Sequence, residues 1–174
     1  MTISIYDLKR AANRATQRNR QEQIKILQEL PSENKAFLCH SHKDKDLALG
    51  LQILLLENEC YLYIDWQDND MPETPDKTTA LKIKKRIADF GWFLFLATPN
   101  STTSQWCPWE IGIADTRKEN NKILVIPTTD HSGKWYGNEY LQLYDRIVIP
   151  SNGGLAKFKS GSDNNGIYVK EMLS

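Results

Sequence analysis

From Lys35 onward the chain alternates short, continuous apolar runs with amphipathic stretches. Strands covered on both faces by crossover helices produce this pattern, because neither face meets water. The runs predict five strands: Ala36-Phe37-Leu38-Cys39, Tyr61-Leu62-Tyr63-Ile64, Trp92 to Ala97, Ile123-Leu124-Val125-Ile126 and Arg146-Ile147-Val148-Ile149. Between the first two, Leu47, Leu51, Leu54 and Leu55 mark one helical face, with Asp44 or Asp46 placed to cap its start. A second helix is predicted from about Thr78 to Asp89, with Ala80, Leu81, Ile83, Ile87 and Ala88 inward and Lys82, Lys84, Lys85 and Arg86 solvated. A third follows Ser104 and runs through Trp109, Ile113 and Thr116 to a stop at Asn120-Asn121. Right-handed crossovers between five parallel strands imply an α/β, flavodoxin-like three-layer fold with strand order 2-1-3-4-5 and helices on both faces.

The flanks read differently. Residues 1–34 hold five basic residues and no acidic one between Lys9 and Arg20, then Ile24, Leu27 and Leu30 at helical spacing. They predict a helical N-terminal extension ending at Pro31, either a solvated helix packed on the side of the 35–150 domain or a partner-binding arm. Past Pro127, the stretch to Leu143 with Gly133 and Gly137 reads mostly as loop, and its aromatic residues as core packing. Residues 151–174 carry four glycines among polar neighbours and predict an irregular tail, pinned by Leu155, Phe158, Tyr168 and Val169.

Charge and cysteine usage narrow the partners. Lys plus Arg and Asp plus Glu number 22 each, so no global field draws the chain to nucleic acid or an anionic membrane. Cys39, Cys60 and Cys107 are odd in number and widely spaced, which suits reduced thiols rather than a disulfide framework or a zinc site. No apolar run reaches transmembrane length and the N-terminus lacks a signal-peptide core, so a soluble, cytoplasmic protein is expected.

In a sheet of this order, ligands bind beyond the carboxyl ends of the strands where the chain reverses direction, between strands one and three. The walls there are His40-Ser41-His42-Lys43 after strand one and Thr98-Pro99-Asn100-Ser101 after strand three. The long polar loop from Asp65 to Pro75 lies beside them. Pro108 is tolerated only in a helix's first turn, so Ser104 is about the earliest N-cap of the third helix. Trp106 and Glu110 then stand at i and i+4, an indole beside a carboxylate at the mouth of the crevice. The positive end of the helix dipole is expected to keep Glu110 ionised. The plain alternative is a first-turn glutamate that helps a helix start beside a core tryptophan.

Three blocks together, F-L-C-H-S-H-K-D-K-D, Y-I-D-W and S-Q-W-C-P-W-E-I-G-I-A-D, resemble bacterial Toll/interleukin-1-receptor (TIR) domains, over roughly Lys35 to Pro150. The resemblance implies that Glu110 is the catalytic carboxylate of an NAD⁺-cleaving enzyme and Trp106 its substrate-facing neighbour. It implies that His40, Ser41, Lys43 and Asn100 line the nucleotide cleft, with Asp65 and Trp66 opening a mobile loop over it. It departs at one place: some NAD⁺-cleaving members carry arginines just after strand one, where this chain has His42 and Lys43.

The implied chemistry needs neither metal nor cofactor. Nicotinamide leaves from NAD⁺ as a neutral ring, so the demand is stabilisation of positive charge on the ribose, which one carboxylate meets. Water, an internal hydroxyl or base, or another nucleophile would capture the cation, giving ADP-ribose, a cyclic isomer or a conjugate. The resemblance further implies self-association, a phage-derived trigger and a separate effector reached through the product, as in Thoeris-type anti-phage defence. The rival is a non-enzymatic TIR adaptor that acts by TIR–TIR contact. A receiver domain is excluded because it needs an acidic cluster after strand one and an aspartate after strand three, where this chain has His40-Ser41-His42 and Thr98-Pro99-Asn100. A flavodoxin phosphate loop and a P-loop are also missing.

Overall fold

The computed structural model describes residues 2–72, 74 and 76–172. Glu73 and Pro75 of the expected long loop, and Met1, Leu173 and Ser174 of the expected terminal segments, lie outside the described residues. In chain order the elements begin with β1 (Ile3–Ser4), α1 (Ile5–Ala12), α2 (Gln17–Glu29), β2 (Ala36–Cys39), α3 (Lys45–Leu56), β3 (Leu62–Tyr63) and α4 (Lys77–Asp89). They continue with β4 (Trp92–Ala97), α5 (Pro99–Thr102), α6 (Trp106–Arg117), β5 (Ile123–Thr129) and β6 (Trp135–Tyr136). The last are β7 (Asp145–Val148), β8 (Ala156–Phe158), β9 (Ile167–Tyr168) and α7 (Val169–Met172).

The five expected strands are β2, β3, β4, β5 and β7, all parallel, in the spatial order β3-β2-β4-β5-β7, which is 2-1-3-4-5. Within their apolar runs, alternate residues serve opposite faces, as the pleat requires. Leu38, Leu94, Leu96, Leu124 and Ile126 pack beneath α1 and α3, while Phe37, Phe93, Phe95 and Val125 pack beneath α4 and α6. One core is therefore largely aliphatic and the other aromatic. In α4 the inward face is narrower than expected: Ile83 and Ile87 are buried, whereas Leu81 is 58% exposed and Ala88 is exposed. Helix α4 starts on a capping box between Asp76 and Thr79.

The structure corrects the reading of both flanks. The N-terminal segment is two helices and a strand, not one helix: Ile3 and Ser4 pair in parallel with Thr128 and Thr129 at the end of β5. Helix α1 crosses α3 so closely that a Cβ on Gly50 would lie 1.9 Å from the Leu8 carbonyl oxygen. Ile3, Leu8 and Ala11 are fully buried, so this part is built into the core and does not stand off as an arm. Helix α2 is different: Gln23 is its buried residue and Ile24 is 41% exposed.

The C-terminal tail is not irregular. Strands β8 and β9 continue the sheet antiparallel from β7, with Gly153, Gly154 and Gly161 at positive φ in the connections. Leu155, Phe158 and Val169 are buried as expected, while Tyr168 is 36% exposed. Strand β5 runs on to Thr129 and hydrogen-bonds the short antiparallel β6, where a loop was expected. Short strands of two or three residues leave no period to read in the sequence. Among the described residues no helix is long and apolar enough to cross a membrane.

Candidate active site

Strands β2 and β4 are neighbours, yet the chain leaves them toward helices on opposite faces, α3 and α6. That divergence opens a crevice at their carboxyl ends, where the expected site residues gather. After β2, the Ser41 hydroxyl accepts a hydrogen bond from the Lys43 amide at 3.3 Å and caps a 3₁₀ turn over His42–Asp44. Asp44 was expected to cap α3, as was Asp46, but no side chain caps that helix. Instead the Asp44 carboxylate is 4% exposed and receives the Thr98 hydroxyl at 2.5 Å and the Asn100 amide at 2.6 Å. It ties the loop after β2 to the loop after β4 across the switch point. Asp44→Ala strands both donors in the interior and is expected to cost about 1–3 kcal/mol, read from urea unfolding; an unchanged midpoint refutes the tie.

The turn after β3, Asp65–Gln67, closes the crevice from the other side. The Asp65 carboxylate accepts the Trp66 amide at 2.8 Å, and the Trp66 indole N–H donates to His40 Nε2 at 3.1 Å. His40 Nδ1 faces the Leu38 carbonyl at 3.4 Å. Both ring nitrogens are thus engaged within the protein by the neutral tautomer that carries its proton on Nδ1. Burial favours that neutral form and lowers the imidazole pKa, against the opposing pull of Asp65. The Lys45 ammonium stands 5.4 Å from the centroid of the Trp66 ring.

Helix α6 begins as the Pro108 argument requires. The Ser104 hydroxyl accepts from the amides of Trp106 at 3.2 Å and Cys107 at 3.3 Å. Trp106 is half-buried and meets Trp109 edge to face at 5.6 Å. Glu110, one turn on, is 5% exposed, and beside it the Cys39 thiol donates to the Cys107 carbonyl at 3.8 Å. The ionised Glu110 expected from the helix dipole is corrected here. It is the fifth residue of α6, past the first turn where the dipole acts. Burial pushes its carboxyl well above the ordinary 4.5, with the charges of Cys107 and Asp65 adding, and the Cys39 thiol offsets only part.

A cleft of about 610 Å³ opens beside the Asp65–Gln67 turn, lined by His42, Lys45, Asp65, Trp66, Met71 and Thr79 among others. Ligand pockets commonly span about 300–1,000 Å³. Glu110 and Trp106 do not line it; Asp65 is the shared wall, facing the cleft on one side and acting on Glu110 on the other. The structure therefore brings His40, Asp65 and Trp66 together, with Glu110 within the field of Asp65. It gives Asn100 to Asp44, and it leaves Lys43 exposed and outside the cleft lining. Sequence reasoning missed Lys45 and Met71 as lining residues and Cys39 as a contact of Glu110. The strand register carried the signal for Cys39, since Cys39 points to the α6 face when His40 points away. Among the described residues no group of three or more His, Cys, Asp or Glu is placed to hold a metal ion.

The family model described as the TIR domain matches residues 36–147. The chain belongs to the TIR domain family. This TIR domain is also 32% identical, over 114 residues, to a probable 3′ cyclic ADP-D-ribose synthase, ThsB′, of Bacillus cereus strain MSX-D12. That match takes in 64% of this chain and spans 59% of the length of the relative.

Proposed function

We propose that this TIR domain cleaves the nicotinamide–ribose bond of NAD⁺, with Glu110 stabilising the positive charge that develops on the ribose. The observation that carries the reading is a buried carboxyl group on the helix that follows the switch point of the sheet, within the field of Asp65 and one helical turn from Trp106. Similarity to a probable 3′ cyclic ADP-D-ribose synthase supports a cyclic ADP-ribose isomer as the product, with ADP-ribose or a conjugate as the other outcomes of capture. NAD⁺ is substrate here and the reaction uses no metal or further cofactor. In the fuller reading the enzyme is cytoplasmic and bacterial. There it acts after self-association or a phage-derived trigger, and its nucleotide product reaches a separate effector protein in anti-phage defence.

The chemistry needs Glu110 as a carboxylate, whereas burial favours its neutral form in the free protein. As the pyridinium cation of NAD⁺ enters, its positive charge favours the carboxylate, and Glu110 releases its proton to solvent. The carboxylate then holds the ribose hydroxyls and opposes the oxocarbenium-like charge while nicotinamide departs as a neutral molecule. No acid has to protonate the leaving ring, so one carboxylate suffices. Trp106, one helical turn from Glu110, offers a flat apolar face to a ring or sugar.

Incubation of the purified protein with NAD⁺ at high concentration, followed by mass spectrometry, tests the reading. Free nicotinamide together with an ADP-ribose derivative supports it. No cleavage under any activating condition gives the TIR adaptor reading precedence, which the enclosure of Glu110 in this conformation favours. The pH profile carries a second expectation. The active form is the carboxylate, so kcat/KM falls as pH is lowered through the raised pKa of the free enzyme, with its acid limb well above 4.5. The limb of kcat lies at lower pH, because bound NAD⁺ brings a cation beside Glu110. Coincident limbs at the ordinary glutamate position would show that the neutral, buried Glu110 is not the titrating group.

A further inference from the structure

Helix α3 is otherwise aliphatic through Leu49, Leu51, Ile53 and Leu55, yet its middle carries Gln52, which is 1% exposed. A buried amide is unfavourable unless its hydrogen-bonding groups are partnered, and those of Gln52 are. Its Nε2 donates to the Leu62 carbonyl at 3.0 Å and to Gln67 Oε1 at 2.9 Å, while its Oε1 accepts from Gln67 Nε2 at 3.1 Å. The two side chains form a reciprocal amide pair between α3 and the last residue of the Asp65–Gln67 turn. A two-bond pair fixes orientation as well as distance. Gln67 adjoins Trp66, and Trp66 adjoins Asp65, so the pair sets the turn that lines the cleft. On its other side the Trp66 indole donates to His40 at 3.1 Å. Gln23 of α2 extends the chain of amides, donating from Nε2 to the Gln52 carbonyl at 3.3 Å.

We propose that Gln52 and Gln67 are positioning residues for the reaction: their amide pair holds Asp65 and Trp66 in register as walls of the cleft. This rests on the NAD⁺-cleaving reading given above. Neither glutamine touches substrate; they act through the turn. The loop beyond the turn has its own anchors, with Asp68 receiving the Tyr63 hydroxyl at 2.6 Å and Arg86 at 3.1 Å. Loss of the amide pair therefore loosens Asp65–Gln67 locally and leaves the sheet in place.

The test uses Gln67→Met, which keeps length without hydrogen bonds, and Gln67→Glu, which keeps an acceptor for Gln52 Nε2 and loses the donor. Hydrogen exchange is read at the amides of Trp66, Gln67 and Asp68, with β4 amides as the internal reference. Exchange at the turn is expected to rise about tenfold in Gln67→Met, less in Gln67→Glu, with β4 unchanged. In the parent that cleaves NAD⁺, kcat is expected to fall about tenfold in Gln67→Met while KM stays within about twofold, because alignment rather than affinity is lost. Unchanged exchange at the turn overturns the latch whatever the activity. Faster exchange with parental kcat overturns the positioning role. A parent that cleaves no NAD⁺ under any activating condition overturns the enzymatic reading and the catalytic half of this proposal with it, and the exchange result then decides the latch alone.

Discussion

Glu110→Gln is expected to lower the proposed NAD⁺ cleavage by at least about 10²–10³-fold in kcat and to raise the melting temperature at neutral pH. Both effects come from one environment. A single preorganised charge opposite the reacting sugar is the main source of catalysis in the proposed mechanism, and a neutral amide of the same shape cannot replace it. The stability effect follows from the raised pKa of the buried carboxyl. The folded state retains a proton that the unfolded chain releases, so the contribution of Glu110 to stability is full below the unfolded value and is lost as pH rises toward the folded one. Glutamine keeps the shape of the protonated acid and has no such loss. The melting temperatures of parent and variant should therefore converge below the ordinary glutamate pKa of 4.5 and separate as pH rises. A variant with parental kcat makes Glu110 structural; one that melts lower at neutral pH refutes its neutral, buried state.

Gly50→Ala is expected to destabilise the protein by about 3 kcal/mol, a fall of roughly 6–12 °C in melting temperature. The new methyl group would sit 1.9 Å from the Leu8 oxygen and 2.6 Å from its carbon, both backbone atoms of α1. Neither can rotate away, so α1 must move as a body and draw Leu8, Ala11 and β1 from their places. Alanine's better helix propensity, about 1 kcal/mol, offsets only part of this. The same substitution at Gly112, where a Cβ meets nothing within 4 Å, isolates the propensity gain and should stabilise by up to about 1 kcal/mol. Equal responses at the two positions would mean that the α1–α3 approach is not tight in solution.

The contrast between these two glycines marks where sequence reasoning stops. Both lie in helices and look alike in the chain, and only the neighbour across the interface separates them. Leu81 makes the same point: helical spacing put it inward, but a half-buried helix has a boundary whose angle depends on how α4 lies on the sheet. The expected site was legible as a neighbourhood. His40, Asp65 and Trp66 do meet, because strand ends and crossover handedness dictate which loops converge. Their bonds were not legible. Asp44 has the composition of a helix cap and serves as a tie between loops, and Gln52 interrupts an apolar helix for the sake of a residue fifteen positions later.

By itself the sequence determined the five parallel strands and their 2-1-3-4-5 order, since strands buried on both faces must read as unbroken apolar runs and right-handed crossovers leave few arrangements. It also determined the start of α6 through Ser104 and Pro108, and with it the stacking of Trp106 and Glu110 on one helix. Only the tertiary structure decided that the N-terminal segment is part of the core and that the C-terminal tail extends the sheet, because two- and three-residue strands have no period to detect. Only it decided the protonation of Glu110. A dipole can be inferred from position along a helix, but desolvation depends on what packs around the carboxyl group, and that includes Cys39 of β2, contributed by a distant part of the chain.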